Sequence, residues 1–166
     1  MHLLSEYSIF RLRRVLSITV GVFCISLYSV GSFRLFVTPG YLHPFLIGLA
    51  AVFLVLCAVY IMNDLCDLRY DMINRPDQIY ISRRISLRSA ALLTALLMFA
   101  GGVLSLFANT RFFAVLLAVS ALSAAYNLFS KRMSFLKPVI VSLLVVSIYP
   151  LSITLTAGGN PSPRFD

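Results

Sequence analysis

The sequence predicts an all-α membrane protein, a polytopic bundle of transmembrane helices, and its composition carries that prediction. Of its 166 residues, 60% are hydrophobic and only 12% are charged, and the mean hydropathy is +0.92. Soluble domains contain about 45–50% apolar and about 25% charged residues, whereas disordered chains combine low hydrophobicity with high charge. The composition therefore excludes both an ordinary soluble domain and a disordered chain.

Five apolar segments are long enough to cross a bilayer, whose hydrocarbon core of about 30 Å requires about 20 residues of helix. The predicted spans are 15–37, 44–62, 87–108, 112–129 and 139–157. The first span is longer than the roughly 7–15 apolar residues of a signal peptide, so we interpret it as an uncleaved helix. We expect residues 1–166 to form a single integral-membrane domain.

Basic residues are distributed unevenly among the loops that join these spans. Eleven of the fourteen fall on one side of the predicted bundle: Arg11, Arg13, Arg14, Arg69, Arg75, Arg83, Arg84, Arg88, Lys131, Arg132 and Lys137. The positive-inside rule places this side, with the N-terminus and the 63–88 loop, in the cytoplasm. The same rule accounts for the net charge of +8, so we expect contact with membrane lipid and no nucleic-acid partner.

Local sequence signals also predict how the helices pack. Short turns at 38–40 and 109–110 should join neighbouring spans as antiparallel hairpins. Small residues in the later spans should let helices approach closely, and these are Gly101, Gly102, Ser120, Ser123 and Ala124. The three cysteines show no CxxC spacing, so neither a disulfide framework nor a zinc site is expected.

An acidic cluster follows the second predicted span. Four of the six acidic residues lie within fourteen positions: Asp64, Asp67, Asp71 and Asp77. Asn63, Asp67 and Asp71 are four residues apart, so on a continuing helix they share one face. Like charges at this spacing repel each other, yet their oxygens suit a Mg²⁺ ion that keeps several waters and bridges to phosphate. The alternative is a solvated loop whose acidic residues pair with local arginines such as Arg69.

The same segment carries a resemblance to a known family. Residues 63–71 are NDLCDLRYD and residues 72–77 are MINRPD, which resemble the first signature of the UbiA superfamily of membrane prenyltransferases, NDxxDxxxD followed by xINRP. The similarity continues through IYISRRISLRSA at 79–90. A second match, YNLFSKR at 126–132, resembles the family's Tyr-x-x-x-x-Lys-Arg segment. The INRPD and IS features are most similar to the geranylgeranylglycerol-phosphate geranylgeranyltransferase-like branch.

The resemblance implies an enzyme that transfers an isoprenyl group from a prenyl diphosphate to a lipid or aromatic acceptor in the membrane, with Mg²⁺ as cofactor. It implies that Asn63, Asp67 and Asp71 are catalytic residues and Mg²⁺ ligands. It further implies a set of substrate-binding residues: Asp64, Arg75, Tyr126, Lys131 and Arg132. For Tyr126 two interpretations stay open, a hydrogen bond to the diphosphate or an interfacial position in the membrane.

The sequence also departs from the family pattern. Only the N-terminal half of a usual member is covered, and the family's second acidic motif, DxxxD, is absent, because Asp166 is the one acidic residue after Asp77. Three interpretations follow: a fragment of a longer protein, a split enzyme whose second chain supplies DxxxD, or a degenerate member that acts as a non-enzymatic scaffold. CDP-alcohol phosphatidyltransferases are disfavoured, because their Asp-Gly and Ala-Arg pairs do not precede Asp67.

Overall fold

Helices dominate the protein, which we describe from a computed structural model covering residues 11–31, 38–74, 81, 85–129 and 135–157. The helices are α1 (Leu12–Val30), α2 (Pro39–Asn74), α3 (Leu87–Ala108), α4 (Thr110–Phe129), α5 (Lys137–Val146) and α6 (Ile148–Ala157). Within these residues β structure is limited to one bridge between Ile81 and Ile85. Five stretches of the described helix are long and apolar enough to cross a membrane, the fifth being α5 and α6 together. The predicted all-α transmembrane architecture is confirmed.

The first helix ends earlier than predicted. Gly31 adopts the left-handed conformation, with φ of 66°, and its N–H donates to the carbonyls of Leu27 and Tyr28. This geometry terminates a helix and is readily available only to glycine. The helix therefore ends at Val30, whereas the span was predicted to continue to residue 37, and residues 32–37 lie outside the described part.

The second helix is longer at both ends than its predicted span. It begins at Pro39, so the predicted turn at 38–40 was wrong for Pro39 and Gly40. Proline is tolerated in a first helical turn, because the N–H that it lacks would have no partner there. At its other end α2 continues through the acidic cluster to Asn74, giving 36 residues. A helix of that length is about 54 Å long and exceeds the hydrocarbon core by roughly 20 Å.

The last predicted span, 139–157, is divided into α5 and α6 at Ser147. Pro150 explains the division, since it has no N–H to donate to the carbonyl of Val146, the last residue of α5. The hydrogen bonds from Ser147 to Leu143 and from Leu151 to Ser147 remain. The interruption is therefore local, and the two helices together have the length of one span.

Close contact between α2 and α3 depends on one glycine. A Cβ atom at Gly101 would lie 2.6 Å from Cγ2 of Val55 and 3.1 Å from the carbonyl oxygen of Ala51. The predicted role of Gly101 as a small residue at a helix contact is thus confirmed. The same prediction was wrong for Gly102, because nothing lies within 4 Å of a Cβ atom at that position.

Polar side chains connect the remaining helices. Asn109 alone separates α3 from α4; its side-chain oxygen accepts from the Phe112 N–H at 2.8 Å, and its amide nitrogen donates to the Thr154 carbonyl in α6 at 2.8 Å. The hydroxyl of Ser152 in α6 donates to the Val22 carbonyl in α1 at 3.2 Å. Since α1 packs against α6, the first and last described helices are neighbours.

Candidate functional site

The acidic residues lie on one face of the last part of α2, which we call the acidic segment (residues 62–74). The helix is unbroken here, so Asn63, Asp67 and Asp71 follow one another at a rise of about 6 Å each. All three side chains are half-buried. The expectation that they share a helix face is confirmed, and the stripe they form is about 12 Å long.

Apolar residues on another side of the acidic segment hold it against α3. Ile61 is fully buried in a small cluster with Ile81 and Ala90, and Leu65 and Leu68 pack against that cluster. Ile61, Leu65 and Leu68 have the i, i+4, i+7 spacing of a single helix face. That face lies about 130° around the helix from the acidic stripe. The apolar contacts therefore hold the helix while leaving the acidic stripe turned away from α3.

Asp64 is engaged by the first helix. Its carboxylate accepts a hydrogen bond from the Arg11 guanidinium in a half-buried ion pair. The Arg11 guanidinium also lies over the Tyr60 ring, 5.9 Å from its centroid, a geometry that attracts cations. Arg11 has a φ of 42°, in the left-handed region that is strained for a residue with a Cβ atom. Residues held in such strained backbone conformations cluster at functional sites.

The partner of Asp64 was not predicted from the sequence. Local arginines such as Arg69 were the candidates, but Arg69 is exposed on the far side of the helix from the stripe. Arg11 precedes Asp64 by 53 residues. The available signal was the basic run before the first span, which the charge distribution had already assigned to the same side as the acidic cluster.

The end of α4 lies beside the start of the acidic segment. Asn127 is buried, and its amide nitrogen donates to the Val59 carbonyl of α2 across 3.4 Å, a long hydrogen bond. The neighbouring Tyr126 is half-buried, so this predicted site residue lies at the acidic end of the bundle. Asn127 itself was not predicted. The remaining predicted site residues lie outside the described part of the chain: Arg75, Lys131 and Arg132.

The oxygen ligands along the stripe determine which metal ion the stripe could bind. Asn63 supplies an amide oxygen, and Asp67 and Asp71 supply carboxylates, all hard ligands of the kind that Mg²⁺ binds. Among the described residues no three His, Cys, Asp or Glu side chains form a group that would hold a metal by themselves. The stripe therefore fits a Mg²⁺ ion that keeps several waters and shares its coordination with phosphate oxygens. It does not fit an ion enclosed by protein ligands.

Comparison with known proteins gives a family match and several relatives. The sequence profile described as the UbiA prenyltransferase family matches residues 15–165. A digeranylgeranylglyceryl phosphate synthase from Methanococcus aeolicus is 36% identical over 110 residues, which are 66% of this chain and 39% of that protein. The protein of the same name from Methanococcus maripaludis strain C7 is 28% identical over 149 residues, 90% of this chain and 51% of its own.

A solved structure has a fold similar to that of this chain. It belongs to a study of digeranylgeranylglyceryl phosphate synthase in membranes, and it matches with a TM-score of 0.78 at 24% sequence identity. The match covers 93% of this chain and 54% of that one. The chain thus spans about half, or less, of the length of the relatives it matches.

Proposed function

We propose, from the premise that this chain belongs to the UbiA prenyltransferase family, that it provides the donor-binding half of a membrane prenyltransferase site. The reaction moves an isoprenyl group from a prenyl diphosphate to an acceptor in the lipid phase. The names of the relatives support a finer assignment, in which a geranylgeranyl group is transferred to a geranylgeranylglyceryl phosphate. The positive-inside rule assigns the acidic segment to the cytoplasmic side.

The stripe of Asn63, Asp67 and Asp71 is the observation that supports this proposal. Two carboxylates lie beside an amide oxygen on one face of an unbroken helix, and these carboxylates repel each other and a bare diphosphate alike. A divalent cation removes both repulsions at once, since it binds carboxylate and phosphate oxygens together. A solvated helix end without a ligand would favour basic residues instead, because the helix C-terminus carries partial negative charge.

Each predicted residue has a role in this proposal. Asn63, Asp67 and Asp71 would hold Mg²⁺, which when bound supplies positive charge for the departing diphosphate. Arg75, Lys131 and Arg132 would contact the diphosphate oxygens as further cations. Asp64 lies beside the stripe and is paired with Arg11. The Tyr126 hydroxyl would donate a hydrogen bond to a diphosphate oxygen.

The chemistry requires the bond between the allylic carbon and the diphosphate oxygen to break, with its electron pair leaving on the diphosphate. The acceptor oxygen then forms the new bond to that carbon and releases its hydroxyl proton to water. Charged side chains that are already in position stabilise the leaving group without reorganising during the reaction. Holding donor and acceptor in register is the second contribution of the protein.

Donor binding provides the direct test, because it needs only the acidic end of the bundle. Geranylgeranyl diphosphate is titrated against the 166-residue chain in phosphatidylcholine nanodiscs, with Mg²⁺ and with a chelator. We expect binding that depends on Mg²⁺ and that Asp67→Asn weakens by about 10-fold or more, since one charged ligand is lost.

Arg69→Gln is the matched control, because it changes a charge in the same segment on an exposed position away from the stripe. It should change the dissociation constant by less than about threefold, as expected for a screened surface charge. Equal binding with and without Mg²⁺ would contradict the proposal and favour the non-enzymatic alternative.

A further inference from the structure

A cleft between α1 and α2 lies next to the acidic stripe and has no role in the function proposed above. Its volume is about 380 Å³, and its lining residues are Arg13, Arg14, Ser17, Ile18 and Tyr60. Small-molecule sites in proteins have volumes of about 300–1,000 Å³. The cleft is therefore large enough for the polar head of a lipid.

The lining of this cleft is suited to an anion. Arg13 and Arg14 both line the cleft, and a guanidinium group is a planar fork of N–H donors that matches the oxygens of a phosphate. Tyr60 lines the cleft from α2 and carries a hydroxyl donor, whereas the Ser17 hydroxyl already donates to the Arg13 carbonyl at 2.9 Å. Among the described residues no carboxylate lines the cleft, so it has no group with which to hold a bridging metal ion.

Arg11 separates the cleft from the acidic stripe. Tyr60 lies one helical turn before Asp64, a rise of about 6 Å, and the Arg11 guanidinium contacts both residues. This ion pair offsets the carboxylate charge nearest to the cleft. This ion pair would separate a metal-bound anion along the stripe from a metal-free anion in the cleft.

The depth of the cleft in the bundle agrees with a lipid ligand. Arg13 and Arg14 precede the first predicted span, while Ser17, Ile18 and Tyr60 lie just inside predicted spans. The cleft thus opens where the hydrocarbon core meets the headgroup layer. A lipid whose chains lie in the bilayer presents its phosphate at this depth.

We propose that the cleft between α1 and α2 binds the phosphate monoester of the lipid acceptor. The inference rests on the proposed function, because a product named as a glyceryl phosphate retains a phosphate that the departing diphosphate does not supply. That phosphate must enter with the acceptor. Bound in the cleft, it positions the rest of the acceptor head towards the donor at Asp67.

Binding of two lipids that differ only in the phosphate tests the proposal. Geranylgeranylglyceryl phosphate and geranylgeranylglycerol are titrated against the 166-residue chain in phosphatidylcholine nanodiscs. We expect the phosphorylated lipid to bind about 10-fold to 100-fold more tightly, the range of one or two charge-assisted hydrogen bonds. Arg14→Gln should remove most of this difference, and Arg14→Lys should retain part of it, because an ammonium keeps the charge but loses the fork.

Arg88→Gln is the matched control. Arg88 is an exposed arginine in the first turn of α3, on the same predicted side of the membrane and outside the cleft, so its loss should leave the preference for the phosphorylated lipid unchanged. Circular dichroism and size-exclusion profiles establish that each variant is folded. Equal affinity for the two lipids, or equal losses from Arg14→Gln and Arg88→Gln, would overturn the proposal.

Competitors identify the source of the bound phosphate. Displacement of the phosphorylated lipid by millimolar inorganic phosphate would support recognition of the phosphate alone. If inorganic phosphate does not displace it but Arg14→Gln still weakens its binding, the cleft recognises phosphate and glycerol together. Displacement by phosphatidylglycerol, a phosphodiester, with equal potency would overturn the proposal in favour of a general anionic-lipid site.

The outcome is separable from that of the proposed function. Asp67→Asn should impair Mg²⁺-dependent binding of geranylgeranyl diphosphate and leave binding of the phosphorylated acceptor intact. Binding of geranylgeranyl diphosphate that does not depend on Mg²⁺ would contradict the donor site alone, provided that Arg14→Gln still removes the preference for the phosphorylated lipid. Mg²⁺-dependent binding of geranylgeranyl diphosphate without any effect of Arg14→Gln on the lipid preference would contradict the cleft alone.

Discussion

Residues 39–61 and residues 62–74 of α2 form one unbroken helix, but they are packed very differently. The first part, which we call the packed segment, contributes six buried apolar side chains to the two clusters, and two of them, Ala51 and Ile61, have no exposed surface. In the acidic segment every residue is half-buried or exposed. One helix thus serves both as the central element of the bundle and as a polar platform beyond it.

Because the two segments are packed so differently, substitutions in them should affect different measured quantities. Substitutions in or against the packed segment should lower the free energy of unfolding, because interiors tolerate little change in volume. Substitutions of the polar stripe residues in the acidic segment should alter ligand binding and prenyl transfer with little effect on stability, since few buried contacts are lost.

Prenyl transfer should show the largest effect. We expect the 166-residue chain alone to catalyse little or no transfer, because one acidic motif supplies only part of the metal clamp that the family resemblance implies. When a chain carrying a DxxxD motif is co-expressed, transfer should appear, and Asp67→Asn should then lower its rate by about 10²–10³ or more. The measurement is transfer of a labelled geranylgeranyl group to lipid acceptors.

Two results at Asp67 would contradict the distinction between the packed segment and the acidic segment. Robust transfer by the isolated chain that Asp67→Asn abolishes would show that these residues suffice, with two copies supplying the metal clamp. A large loss of stability in Asp67→Asn would show that the acidic segment also supports the fold.

The second prediction addresses the packed segment through its contact with α3. Gly101→Val should lower the free energy of unfolding by about 1–3 kcal/mol, because its side chain would overlap Val55 and approach the Ala51 carbonyl. Gly102→Val, in open space one residue further on, is the control and should change stability by less than about 1 kcal/mol. Unfolding in SDS, followed by labelling of the buried thiol of Cys57, measures both. Equal losses in the two variants would contradict the packing argument.

The third prediction concerns the connection between α3 and α4, next to the start of the packed segment. Asn109→Ala should cost about 1–2 kcal/mol, because it removes both the cap on the Phe112 N–H and the donor to the Thr154 carbonyl. Asn109→Ser retains a capping oxygen and should recover part of the loss. Thermal unfolding in detergent measures the difference, and identical melting temperatures for both variants and the unaltered chain would exclude this role.

The smallest effect is expected for the ion pair between Arg11 and Asp64. A double-mutant cycle with Arg11→Gln and Asp64→Asn should give a coupling free energy of about 1 kcal/mol, because the pair is half-buried. The coupling should decrease at high ionic strength. A coupling of zero at low salt would mean that Arg11 does not hold α1 against the acidic segment.

Local sequence patterns were sufficient for part of the candidate site. The shared face of Asn63, Asp67 and Asp71 required only that the helix continue, because a spacing of four residues fixes direction on any α-helix. Asp64 is different: Arg11 reaches it from 53 residues away. Basic residues before the first span and acidic residues after the second were assigned to one membrane side, but which arginine meets which carboxylate depends on how α1 crosses α2.

The fold class, the spans at 87–108 and 112–129 to within two residues, and the face on which the acidic side chains lie could all be predicted from the sequence. These features follow from short-range periodicity and from the cost of placing polar groups in hydrocarbon. Three features could be found only from the packed bundle: Gly101 and not Gly102 meets α2, Arg11 engages Asp64, and two arginines of α1 line a cleft together with Tyr60 of α2. Each of these depends on the rotation and distance of one helix relative to another, which side-chain packing over the whole bundle sets.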